Sequence, residues 1–131
     1  MQDYHQLDIW KRAMGYAAQV YEFAAMLPAE ERYNLAAQLR RAAVSVPLNI
    51  AEGAGCRANP EFARFLGYAY RSLKEVLTCV ELCQRLHPSL DLAPVAALID
   101  EGNQISRMVH SFIQRLGSAS EVDSDRPTHD S

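Results

Sequence analysis

Three pieces of punctuation divide this chain into four segments of similar length, and that spacing restricts its fold more than any other feature. Pro28 closes the first, Gly53 to Pro60 separates the second from the third, and His87-Pro88 separates the third from the fourth. Within each segment apolar residues recur at three- and four-residue intervals, and strand-like alternation is absent. Helices are expected from about Gln6 to Leu27, from Glu30 to Ala54, from Asn59 to Leu86, and from just after Asp91 to Leu116-Gly117. Asn59-Pro60-Glu61 reads as a start signal: an N-cap side chain, proline at the first helical position and an acid in the first turn. Similar lengths and short loops make consecutive helices antiparallel neighbours. The expected fold class is therefore all-α, an up-down-up-down antiparallel four-helix bundle over residues 1–117. The acidic, Ser-rich tail 118–131 has too little apolar content to fold alone and is expected to be disordered.

The second helix contains Pro47. A proline there removes the amide that would bond the carbonyl of Ala43 and crowds that same carbonyl, a defect of about 3 kcal/mol that predicts a kink. Around it Gln38, Arg41, Ser45, Asn49 and Glu52 recur every three or four residues and share a face. Two readings stand side by side. One is a solvated face on which Ser45 or Asn49 caps backbone groups freed by the proline. The other is a buried or interfacial polar network that fixes subunit geometry.

The first helix has two apolar stripes, about 100° apart. Leu7, Trp10, Met14, Ala17, Tyr21 and Ala24 form one; Ile9, Ala13, Tyr16, Val20, Phe23 and Leu27 form the other. A bundle helix needs one stripe for its core, so the second is expected to meet another subunit, with Ile9, Tyr16, Val20, Phe23 and Leu27 as the candidate oligomer interface. Gly102, at a core position of the fourth helix, predicts a close approach beside a bulky partner such as Trp10 or Phe65.

At 131 residues the chain is one domain's worth and can bury a core without disulfide or metal. Three cysteines, Cys56, Cys79 and Cys83, fit reduced thiols in a reducing compartment. No uncharged run reaches the length of a membrane span, and Asp3, Asp8, Lys11 and Arg12 interrupt any apolar leader, so a cytoplasmic protein without membrane contact is expected. The net charge is −3, and residues 118–131 alone account for it. Residues 32 to 74 hold seven bases against two acids, a net +5. Arg40, Arg41, Arg57, Arg64, Arg71 and Lys74 are thus candidate nucleic-acid contacts. Cys79, Cys83 and His87 lie along one helix face, where three collinear groups cannot close a tetrahedral site, and Glu-x-x-His pairs are absent. No nucleophile, base and orienting group recur together, so neither catalysis nor a cofactor is expected. Cys56, beside Arg57, has a setting that lowers a thiol pKa, though a loop cysteine is more often inert.

The run Leu7-Asp8-Ile9-Trp10-Lys11-Arg12-Ala13-Met14, the block Gln38-Leu39-Arg40-Arg41-Ala42-Ala43-Val44-Ser45-Val46-Pro47 with Asn49-Ile50-Ala51-Glu52-Gly53, and Glu61-Phe62 with Arg64-Phe65-Leu66 together resemble one family. It is the four-helix bundle family associated with intervening sequences of bacterial 23S ribosomal RNA genes, also called the S23 family. Cys56 and Arg71 depart from its usual pattern. The resemblance implies a bundle that assembles into a homopentameric ring. More distantly the chain resembles the accessory variability protein of diversity-generating retroelements, a ring that engages RNA. The expected function is a non-catalytic oligomeric scaffold whose partners are other copies of itself and structured RNA or a ribonucleoprotein. The alternative is a protein-protein assembly module without a nucleic-acid role.

Overall fold

In a computed structural model the backbone is described for residues 2–125, and the side chains of Leu92 and of residues 120–125 lie outside the described set. Four α-helices account for most of it: α1 (Asp8–Ala25), α2 (Leu35–Ala54), α3 (Asn59–Leu86) and α4 (Leu92–Asp125), with short 3-10 turns at Tyr4–Gln6 and Ala29–Glu31. Strands are absent among the described residues. Each helix packs on its neighbours in sequence and α1 also packs on α4, whereas the diagonal pairs make no close backbone approach. The contacts run antiparallel. Phe62 meets Phe112 and Tyr70 meets His110, while Ser72 bonds Ser45 and Arg12 bonds Glu101.

The third helix has the expected bounds Asn59–Leu86, the first is two residues shorter at each end, and two other ends move further. The second helix begins at Leu35 instead of Glu30, because Ala29–Glu31 forms a separate 3-10 turn after Pro28. Asn59 does not cap α3. It lies in the first turn, Ala58 holds the extended cap conformation, and Pro60 falls where a missing amide costs nothing. The fourth helix does not stop at Gly117 but continues to Asp125, since glycine alone is a weak stop and no proline lies between Gly117 and Pro127. The rest of the acidic tail, residues 126–131, lies outside the described residues.

The core decides which stripe of α1 turns inward. Ile9, Ala13, Tyr16, Val20 and Phe23 are at most 4% exposed, and Leu27 is also buried. The candidate interface set of Ile9, Tyr16, Val20, Phe23 and Leu27 is therefore the interior of a single chain, and this corrects the expectation. Tyr16 explains the choice. Its hydroxyl donates to the carbonyl of Leu98 on α4 at 2.8 Å, and burial followed by the Glu101 carboxylate pushes the phenol pKa up, so it remains a donor. Gly102 makes room for it: a Cβ there would sit 2.5 Å from the Tyr16 hydroxyl and 2.8 Å from Leu77 Cδ2. The close approach expected at Gly102 exists, but its bulky partner is Tyr16 and not Trp10 or Phe65. At the far end of the bundle Gly53 similarly lets α2 meet Phe62 and Phe65 of α3.

Candidate nucleic-acid interface

The six candidate bases do not form one surface. Helical spacing and packing distribute them. Arg40 turns toward α1, its guanidinium 5.8 Å from the centre of the Tyr21 ring. Arg41 bonds Gln38 at 2.8 Å. Arg57 is exposed in the turn between α2 and α3. On α3, Arg64 stands over Phe65 and Arg71 over Tyr68, whereas Lys74 leans the other way onto Tyr70, toward α4. All but Arg40 are exposed.

The polar stripe of α2 divides by depth. Gln38, Ser45 and Asn49 are half-buried, while Arg41 and Glu52 are exposed. Gln38 bonds Glu75 of α3, and the Ser72 hydroxyl donates to Ser45 Oγ at 2.9 Å, so two rungs tie α2 to α3. The Asn49 amide donates to both the Ser45 carbonyl (2.8 Å) and the Ser45 hydroxyl (2.9 Å). The carbonyl it caps is thus that of Ser45, not the Ala43 carbonyl that lost its partner to Pro47. Pro47 itself is buried, and Leu48, Val44 and Ala51 beside it face the groove toward α1.

That groove is where α1 spends its surplus apolar stripe. Trp10, Met14 and Ala17 line it with Val44, Leu48 and Pro47, and Met14 and Leu48 remain 48% and 57% exposed. A third surface escaped the sequence reading. Between α3 and α4, Tyr70 and Lys74 face Asn103, Arg107, His110 and Ser111 across a recess of about 340 Å³. Its signal was present in the three- and four-residue spacing of polar groups along the fourth helix, which points them to one side.

Cys56, Cys79 and Cys83 are free thiols. Burial raises the pKa of Cys79 and pushes Cys83 up to about 11. Cys56 is raised as well, by desolvation and then by Glu61, which outweigh the Arg64 cation, so the setting does not activate this thiol. Among the described residues no three His, Cys, Asp or Glu side chains converge in metal-binding geometry. His87 turns instead to Glu31, with Nε2 2.6 Å from the carboxylate. No helix among the described residues is long and apolar enough to cross a membrane.

Residues 5–111 match the family described as 23S rRNA-intervening sequence protein. The chain belongs to that family. A crystal structure of a Bacteroides thetaiotaomicron VPI-5482 protein of unknown function from the S23 ribosomal protein family superposes with a TM-score of 0.73 at 18% identity, covering 80% of this chain and 97% of the other. At that identity the likeness concerns the fold. Comparison with curated proteins yields no match. The intervening-sequence family match takes in α1, α2, α3 and most of α4, and so spans both the polar stripe of α2 and the groove between α3 and α4.

Proposed function

We propose that this member of the intervening-sequence family is a non-catalytic oligomeric scaffold that binds structured RNA through cationic surface on its bundle. The observation that carries the reading is the +5 segment of residues 32 to 74, whose Arg41, Arg57, Arg64, Arg71 and Lys74 are exposed. Repeated around a homopentameric ring, such a segment concentrates positive potential and attracts phosphates from a distance. The kink expected at Pro47 belongs to the same proposal: it bends α2 where Leu48 and Val44 meet α1, and so shapes the surface offered to the next subunit. With the inner stripe of α1 committed to the core, that surface is the groove of Trp10, Met14, Ala17, Val44 and Leu48. A heterologous contact of this kind closes into a ring when its rotation divides the circle.

Fluorescence anisotropy of a labelled RNA hairpin over a salt series tests the reading. Affinity falling steeply with salt, with a slope reporting several phosphates, supports it. Absence of binding at low salt overturns it in favour of the second reading, a protein-protein assembly module in a cytoplasmic setting. The exposed Met14 and Leu48 favour that alternative, since they call for a protein partner whether or not RNA is bound.

A further inference from the structure

Tyr70 and Lys74 lie one turn apart on α3, and Asn103, Arg107, His110 and Ser111 repeat along one side of α4. Antiparallel packing sets the two rows across the 340 Å³ recess from each other. Lys74 Nζ is 4.9 Å from the centre of the Tyr70 ring, which is 6.1 Å from the His110 ring, so an ammonium, a phenol and an imidazole follow one another across it. Ser106 is buried here and satisfied by the Gly102 carbonyl at 2.8 Å, which leaves the outer groups to meet a ligand.

No acid lines this recess. Among the described residues neither Lys74 nor Arg107 has a carboxylate within ion-pair distance. Arg107 and Ser111 also border a second recess of about 530 Å³, which continues past Arg115 to Gln6 and the start of α1 and meets its one acid at Asp8. The recess on α2 differs, because Glu52 lines it together with Arg40 and Arg41. A concave surface of one sign focuses potential, amide and hydroxyl donors complete phosphate contacts, and exposed rings stack on bases.

We infer that the groove between α3 and α4, with Lys74 and Arg107 as its paired cations, is the track along which the phosphates of a nucleic-acid strand lie. The inference rests on the RNA reading above and moves its main contact from the α2/α3 arginines to the α3/α4 groove. Two variants of equal charge change separate them: Lys74→Ala with Arg107→Ala, and Arg64→Ala with Arg71→Ala, each measured by anisotropy against the same labelled hairpin carrying a single-stranded extension. Expected is a loss of about tenfold or more in affinity, and a salt slope lower by about two, for the first pair and less than about threefold loss for the second. If the wild-type protein binds and both pairs weaken it alike, or the first has no effect, the groove is wrong while the RNA reading stands. If the wild-type protein binds no RNA at low salt, both fall. Should the first pair lose its thermal transition, ultraviolet cross-linking of the wild-type protein decides: cross-links at Tyr70 or His110 support the groove, and cross-links confined to α2 overturn it.

Discussion

Opposite sides of this bundle are each built from a pair of antiparallel helices and carry contrary chemistry. Between α1 and α2 the groove is lined by Trp10, Met14, Ala17, Val44 and Leu48, apolar and left partly open to solvent, with Glu52 its charged residue. Between α3 and α4 the equivalent positions are Lys74, Asn103, Arg107, His110 and Ser111. Apart from Trp10 and Ala17, which pack half-buried against it, neither set enters the core, which is formed by Tyr16, Leu39, Leu73, Ile105 and their neighbours at or near zero exposure. The difference teaches that folding constrains the inner stripe of each helix and leaves the outer residues for other tasks. An apolar outer row suits a surface that another protein covers, and a cationic one suits a surface that stays wet and meets phosphate.

The harshest way to break the comparison is to remove the core that both sides share. In Gly102→Val the new side chain meets Tyr16 and Leu77 from its first atom onward. Tyr16 cannot retreat without giving up its bond to Leu98. The expected cost is about 2 to 3 kcal/mol, read as a lower urea midpoint, with the proposed assembly and RNA binding weakened together. A smaller perturbation separates the two sides. Met14→Glu with Leu48→Glu places charge on half-exposed positions and is expected to change folding stability by no more than about 0.5 kcal/mol per site. Sedimentation should nevertheless show the proposed assembly reduced to single chains, because the same charges would be desolvated at an interface. An unchanged sedimentation coefficient would remove the α1/α2 side from assembly and leave the α3/α4 side as the one with a task.

How much of this was legible depends on whether one helix or two must be known. The apolar periods of the third and fourth helices put Leu66, Leu73, Val76, Leu98, Ile105 and Val109 on a core face, and all are buried, while Phe65, Phe112 and Leu116 of the same periods stay half-buried. A single helix determines its own faces, so those assignments needed nothing else. The first helix has two apolar stripes, and its sequence does not rank them. The ranking comes from α4, where Gly102 opens a space and Leu98 offers a carbonyl that only Tyr16, among the larger residues of the inner stripe, can use. The cations are a similar case. Arg71 and Lys74 are three residues apart and read as one basic cluster, yet Arg71 rests on Tyr68 while Lys74 rests on Tyr70, beside His110 of α4. Linear charge counting cannot see a groove whose second wall lies some thirty residues further on.

The smallest expected effect sharpens the comparison by lying on neither side. Glu31, in the connection between α1 and α2, is 8% exposed and meets His87 at the end of α3, with Asn34 at 3.4 Å and the backbone of Leu35 also donating to it. The hydrogen bond to His87, ahead of the other contacts, holds the Glu31 carboxyl below its ordinary value of 4.5. A depressed folded-state pKa contributes stability that is complete above the unfolded value and is lost as pH falls through the folded one. Wild-type protein should therefore exceed Glu31→Gln in urea midpoint by a constant margin from about pH 7 down to the ordinary carboxylate value, and the margin should close over the units below it. The Cys83 thiol, held up in part by Glu31 itself, stays neutral throughout that window and does not add to the change. Because the clasp joins the α1/α2 connection to the end of α3, its loss should loosen that end of the bundle, while the RNA affinity proposed for the groove at Lys74 and Arg107 is expected to be unchanged at neutral pH. A margin that persists well below the ordinary carboxylate value would mean that Glu31 stabilises by packing alone.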